Sequence, residues 1–344
     1  MDAIIEGHGK ANKMKKKAIA LISGGLDSLL AAKTIMQQGI EVLGVVFVMQ
    51  FASRNVQRFM ERVRESTGDA GIPVRFIDIS KEFLEVLKSP RHGYGAHLNP
   101  CIDCKILMLR RAKKIMQEEG ASFVITGEVL GERPMSQRKD ALETIKKESS
   151  LGDKLLRPLS ARLLEATLPE KEGMVKREEL FAISGRSREG QFALAKKYNL
   201  HKFFAPAGGC LLADPIFSEK LRDLMSRDNL VMEDITLLKY GRHFRLDEAT
   251  KAVVGRDEND NNDLLACKGE QDVVLRLKEK AGPDVLLRGN TNPANIEKAA
   301  ALGLSHSKSR DEDKEAVEFW TDENDKKTLV TSPLAQEKVE KLRI

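Results

Sequence analysis

The sequence predicts an α/β protein, a parallel sheet flanked by helices, followed by a smaller α+β domain. Three observations predict it. Short apolar runs alternate with helical periodicities from residue 18 onward. The first of those runs ends in a glycine-rich turn, "SGGLDS". The character changes after about residue 228, where short β-like runs alternate with turns. At 344 residues the chain is also too long for one ordinary domain.

Residues 18–22 are an apolar strand running into SGGLDS at 23–28, and "LLAAKTIMQQG" reads as a helix closed by Gly39. "EVLGVVFV" (41–48) is the next strand, residues 54–71 a polar-faced helix, and "VRFIDIS" (74–80) alternates like a strand. After a loop carrying His92, Tyr94 and His97, "LNPCIDCKILMLRRAKK" opens a basic helix with Met108, Ala112 and Ile115 at helical spacing. "SFVITGE" (122–128) is a further strand. Strands alternating with helices imply a mostly parallel sheet. Its ligands would bind beyond the carboxyl ends of the strands, where SGGLDS and TGE converge. A second helical patch is expected over 176–198, then a glycine-rich loop and a helix over 203–225. Beyond it, residues 251–254, 272–277 and 285–288 read as strands, 295–302 as a helix and "TLVTS" as the closing strand. The charged tract at 307–317 reads as a solvated loop. The expected division is a tail at 1–15, a first domain over 16–228 and a second over 229–344.

Lysine and arginine exceed aspartate and glutamate 57 to 52, a net charge of +5. That permits a nucleic-acid partner without requiring one. Four cysteines in so long a chain are no disulfide framework and point to a reducing cytoplasm. "MKKKAIALISGGLDSLLAA" imitates a secretion signal, but Asp27 interrupts it and the glycines fall where a strand would turn. The most apolar stretch, 42–48, is far too short to span a bilayer, so no membrane partner is expected.

SGGLDS is the most specific motif. After a buried strand, Gly24 and Gly25 let backbone N–H groups turn toward an anion, and the helix starting near Asp27 adds its positive end. Ser23 and Ser28 can donate hydroxyls to the same phosphate. Asp27 would repel a phosphate on its own, so its expected task is to hold Mg²⁺ against it. The lysine of a Walker loop is absent. The plainer reading is an ordinary strand-to-helix turn. The motif resembles the PP-loop of the N-type ATP pyrophosphatases, which split ATP into AMP and pyrophosphate to activate an oxygen for displacement. The resemblance implies a PP-loop/HUP-type sheet, bound ATP and adenylation. "VITGEVLGERPMSQ" (124–137) resembles the TGE-LG----SQ segment of the ThiI tRNA 4-thiouridine synthases, which implies Thr126, Gly127 and Gln137 over the nucleotide. "LLRPLS", with Arg157, is similar to another ThiI segment; Arg157 is either functional or half of a structural salt bridge.

Cys101 and Cys104 leave several chemistries open. With Cys210 and His97 they could clip zinc. Alone they could be a redox dithiol, although such pairs usually sit in a small domain of their own. With Cys210 of "PAGGC" they make a three-cysteine arrangement similar to that of the iron–sulfur tRNA thiolases of the TtuA group. That resemblance implies a [4Fe–4S] cluster with one iron free to hold sulfide. Enzymes of the MnmA and ThiI types pass a persulfide between cysteines instead, and the same three residues could do so. Pro100 and the helix start are expected to lower the thiol pKa near Cys104, and Gly208 and Gly209 to allow close backbone approach. Cys267 reads as structural.

Arg186 and Arg188 of "SGRSREGQ" suit phosphate contact in RNA, or are simply solvated. "GRHFRL", "VVGRDENDNNDLL", "GEQDVVLRLKEKAGPDVLLRG" and "IEKAAALGLSHS" look like the RNA-binding module of the NFACT proteins. That implies Arg242, Arg245, Arg256 and Arg288 facing an RNA backbone; aromatics are scarce, with Phe244 the only near candidate, so contact is expected to be to shape and phosphate rather than to unstacked bases. ThiI enzymes carry an N-terminal THUMP domain for tRNA; the residues before 16 leave no room for one, and the C-terminal module is expected to stand in. The combined expectation is an ATP-dependent tRNA sulfurtransferase served by a sulfide or persulfide donor. A homodimer is implied by the iron–sulfur thiolases. The rivals are a PP-loop enzyme acting on a small molecule and a non-catalytic, zinc-containing RNA-binding protein.

Overall fold

Both faces of the first strand are apolar, and that decides its place. β1 (Lys17–Leu21) sends Ala18 and Ala20 into one core and Ile19 and Leu21 into another. A strand covered on both sides belongs inside a parallel sheet. The computed structural model describes residues 16–204, 210–227, 230–308 and 314–344; the expected tail, Gly208 and Gly209 lie outside them. The chain continues through α1 (Leu26–Met36), β2 (Glu41–Val48), α2 (Val56–Ala70), β3 (Val74–Asp78), α3 (Ser80–Lys88), α4 (Cys101–Glu118), β4 (Phe123–Ile125), α5 (Lys139–Glu148) and β5 (Leu155–Leu156). The five strands form one parallel sheet in the order β3-β2-β1-β4-β5. Leu29 and Leu30 of α1 and Val63 of α2 cover one face, joined by Leu194 and Ala195 of α7 (Glu189–Lys197), which follows the short α6 (Leu168–Lys171). Ile106, Leu109 and Ala112 of α4 and Ile145 of α5 cover the other. Among the helices unread in the sequence are α3, which buries Phe83 and Leu87, and α5, which buries Ala141, Leu142 and Ile145.

The helix expected over 176–198 is only α7. Gly185, at φ +78°, breaks it, and Gly185 N–H donates to the Leu130 carbonyl at 2.8 Å, drawing the preceding residues alongside the loop after β4.

α8 (Pro215–Arg227) and α9 (Met232–Leu237) lead to the second sheet. Ile235 of α9 packs into the core around α8, whereas Leu237 packs against the second sheet, so α9 belongs to both. That sheet joins β6 (Arg242–Arg245), β7 (Lys251–Val254), β8 (Val273–Leu277) and β9 (Val285–Arg288), with α10 (Glu258–Ala266) between β7 and β8. α11 (Pro293–Ser305), β10 (Glu315–Trp320), β11 (Lys327–Thr331) and α12 (Gln336–Leu342) complete it. It is antiparallel, in the order β11-β10-β8-β9-β7-β6. Ala299, Leu302 and Val339 of α11 and α12 cover one face; Leu264 of α10 and Trp320 pack on the other, where Cys267 also lies. The tract expected as a solvated loop includes Glu315 to Val317, which begin β10; α10 forms within a stretch read as turns because Asp257 caps it, accepting from Asp260 N–H. Among the described residues no helix is long and apolar enough to cross a membrane.

Arg157 is half of a buried ion pair. Its Nε donates to Glu128 at 2.9 Å, with both side chains at most 3% exposed, and its Nη2 donates to the Leu142 carbonyl at 3.1 Å. Burial pushes the Glu128 carboxyl up, but Arg157, Lys105 and two side-chain hydrogen bonds outweigh it and leave the pKa below the ordinary 4.5. A carboxylate depressed in the fold stabilises above its unfolded pKa, and that contribution is lost as pH falls through its folded pKa. Arg157→Met is expected to cost about 3–5 kcal/mol in urea unfolding at neutral pH, through the uncompensated carboxylate. The loss should shrink once the pH drops well below the usual glutamate value of about 4.3. An equal loss at both pH values would contradict the ion-pair account.

Candidate active site

The turn between β1 and α1 lies where the strand order reverses, with β2 on one side of β1 and β4 on the other. Such a point opens a crevice at the carboxyl edge. Gly24 takes φ +76°, and a Cβ there would stand 2.8 Å from the Phe204 ring. Gly25 precedes α1 without a side-chain cap, which leaves the first turn of the helix able to receive an anion. Ser28 Oγ donates to the Gly25 carbonyl at 2.8 Å and accepts from Ser23 N–H at 3.2 Å, while Ser23 Oγ lies 3.3 Å away. The serines brace the loop from within.

β4 exits through Thr126, Gly127 and Glu128. A Cβ on Gly127 would stand 2.4 Å from both the Asp27 carbonyl carbon and the Ser28 nitrogen, so only glycine fits against that peptide. The Thr126 hydroxyl donates to Glu128 at 3.0 Å. Gln137 is buried; its side-chain oxygen accepts from Arg133 N–H at 3.2 Å and its carbonyl from Gly131 N–H at 2.7 Å. Gly127 therefore meets SGGLDS directly, whereas Thr126 and Gln137 shape the strand exit and the turn that follows it.

Arg188 is not on an outer face with Arg186, which is exposed. It turns inward, and its Nη2 donates to both oxygens of Asp27 at 3.1 and 3.3 Å, with Nη1 3.5 Å from Glu132. Burial raises the Asp27 pKa, partly offset by Arg188 and Arg133; burial and the Asp27 charge raise that of Glu132. Gln191, fully buried on α7, approaches Asp27 without closing a hydrogen bond. Sequence reading missed Glu132 and Gln191. The one signal for Glu132 was a carboxylate four residues past the glycine-bearing strand exit at the switch point.

Cys101 and Cys104 stand three residues apart on the first turn of α4, hence on one face. Cys104 packs in the apolar cluster that holds Leu98, Leu211 and Leu212, next to Cys210 in the chain. Ser218 Oγ accepts from Leu98 N–H at 3.4 Å and donates to the Leu212 carbonyl at 3.2 Å, tying the loop before α4 to the segment after Cys210. The expected lowering of the Cys104 pKa does not occur: burial pushes the thiol up to about 12 against the pull of Lys105, and the Cys210 and Cys101 charges add to it. Cys210 is an exposed residue whose thiol is nonetheless desolvated and raised, with Cys101 contributing. The three thiols are thus electrostatic neighbours. Among the described residues, no three His, Cys, Asp or Glu side chains already stand in metal-holding geometry. His92 is occupied elsewhere, bridging Asp103 at 3.1 Å and Glu148 at 3.2 Å.

In the second sheet the four expected RNA-facing arginines have internal partners. Arg242 donates to the Gly255 carbonyl, Arg245 to Asp223, Arg256 to Asp260, and Arg288 to Asp272, Asp234 and the Cys267 carbonyl. Bidentate carboxylate pairing of this kind competes with any phosphate for the same donors. Phe244 is fully buried in the sheet core and presents no ring to a base.

Gly127→Ala should displace the start of α1, costing about 1–3 kcal/mol of stability from overpacking and weakening ATP binding. Isothermal titration with ATP, beside urea unfolding, checks both. Unchanged ATP affinity would mean that the contact does not shape the loop.

Residues 13–164 match the family model described as thiamine biosynthesis protein (ThiI), and residues 241–343 the one described as NFACT protein RNA binding domain. A probable tRNA sulfurtransferase of Thermococcus kodakarensis is 29% identical over 146 residues, 42% of this chain and 36% of that protein. A tRNA-specific 2-thiouridylase MnmA of Nitratiruptor is 28% identical over 118 residues, 33% of this chain and 35% of the other. A solved 4-thiouridine synthetase in complex with RNA and bound ATP aligns over 54% of this chain and 51% of its own at 21% identity, with a TM-score of 0.35. The chain spans little more than a third of the length of these two curated relatives. Over residues 13–164 the chain is thus similar to ThiI proteins, and over residues 241–343 to the NFACT domain.

Proposed function

We propose that the chain is an ATP-dependent tRNA sulfurtransferase working in a reducing cytoplasm. The observation that carries this reading is the meeting of Gly127 with the Asp27–Ser28 peptide, which brings both ThiI-like motifs into one crevice. The first turn of α1 and the serine-braced loop receive the ATP phosphates, and Asp27 is the carboxylate suited to a Mg²⁺ beside them. A pyrimidine carbonyl oxygen attacks the α-phosphorus, pyrophosphate departs, and the base is left carrying AMP. Sulfur at the sulfide level then attacks the same carbon and AMP leaves with the oxygen, a far better leaving group than hydroxide. The names of the relatives support tRNA as the substrate, and the second sheet is the candidate for holding it.

The thiols of Cys101, Cys104 and Cys210 would hold a [4Fe–4S] cluster, which suits them by donor type and would supply an iron open to sulfide. The exposure of Cys210 favours a second reading in which its thiolate takes the outer sulfur of a donor protein's persulfide. That sulfur attacks the activated carbon as AMP leaves, and the Cys101 or Cys104 thiolate frees the thiolated base by forming a disulfide with Cys210, which an external dithiol then reduces. In either case Cys210→Ala should abolish formation of thiolated nucleoside, read by mass spectrometry of digested tRNA, while ATP binding persists. Wild-type thiolation by that variant would remove Cys210 from the chemistry. Iron, sulfide and zinc analysis of anaerobically purified protein separates the two readings.

A further inference from the structure

The nucleotide reading above, on which this inference rests, leaves part of the Asp27 surroundings unused. The Glu132 side chain is 9% exposed and its Oε2 has no hydrogen-bond partner. Gln191 is fully buried with both carboxamide atoms unpaired, and Arg188 Nε is unpaired as well. Buried polar atoms in folded proteins are nearly always satisfied. Unfilled positions gathered around one carboxylate mark a place shaped for a guest.

We propose that Glu132 is the second carboxylate of a divalent-cation site at Asp27, and that Arg188 is its exchangeable counter-ion. Asp27 and Glu132 together carry two negative charges, of which Arg188 returns one in direct ion pairs, with Arg133 acting electrostatically beside it. A divalent cation returns both, and Mg²⁺ is commonly held by one or two carboxylates together with substrate phosphates. Arg188 starts α7, whose Leu194 and Ala195 are packed in the core with α1, so its backbone is anchored while its long side chain can turn. Once the cation enters with ATP, the guanidinium turns from the carboxylates to the phosphates, for which its fork is suited. Gln191 then has a hydrated cation, or its carboxylate ligand, to hydrogen-bond.

The test is Mn²⁺ binding followed by electron paramagnetic resonance on the full chain, with and without ATP, with melting curves alongside. Glu132→Gln should weaken Mn²⁺ binding in the presence of ATP by about tenfold or more, the scale expected for lost metal-site groups. Arg188→Met should act in the opposite direction without nucleotide, binding Mn²⁺ more tightly than wild type, while its ATP affinity falls. A loss of folding alone cannot produce that gain. Wild-type Mn²⁺ affinities in both variants would overturn the proposal and leave the nucleotide reading standing. Failure of the wild-type chain to bind ATP would overturn both.

Discussion

The architecture of the site depends on one backbone contact, Gly127 against the peptide between Asp27 and Ser28. Parallel pairing of β1 with β4, from Ala18 opposite Phe123 to Ala20 opposite Ile125, brings the two strand exits side by side. Any side chain at residue 127 would force them apart, and the start of α1 would move. The Glu128–Arg157 pair sits directly behind this contact and reaches α5 through the Leu142 carbonyl. A buried ion pair adds little net stability compared with apolar packing. Its value here is positional, since it sets where β4 leaves the sheet and hence where Gly127 lies.

The cysteines are built onto the same frame. Phe204 N–H donates to the Gly24 carbonyl at 3.0 Å, and its ring lies over Gly24 with the Arg62 guanidinium 4.4 Å from the ring centre. Leu211 N–H donates to the Ala52 carbonyl at 3.1 Å, in the loop after β2. Six Cα steps separate Phe204 from Cys210, so the two cannot be more than about 20 Å apart. The SGGLDS loop and Cys210 are therefore tethered to the same domain.

The parallel sheet was legible because its signals are local: β1, β2 and β4 are apolar on both faces and end at glycines or turns. SGGLDS was legible for the same reason, since its serines and glycines act within six residues. What the sequence hid depends on distant partners. Arg188 and Asp27 are 161 positions apart, and nothing near Arg188 says that it turns inward. Cys104 sits at a helix start that should favour a thiolate, but Leu211 and Leu212 bury it. The arginines of the second sheet read as an RNA face until Asp223, Asp260 and Asp272 are seen to hold three of them. α10 was hidden by its own composition: "ENDNNDLLA" is largely polar, and its helix rests on the Asp257 cap and a few buried contacts.

The most direct measurement is product analysis of α-labelled ATP incubated with the protein, Mg²⁺ and unmodified tRNA. The account predicts AMP and pyrophosphate, formed in step with transfer to the RNA and greatly reduced without it. ADP and inorganic phosphate as products would mean cleavage at the wrong bond and would contradict adenylation at this loop.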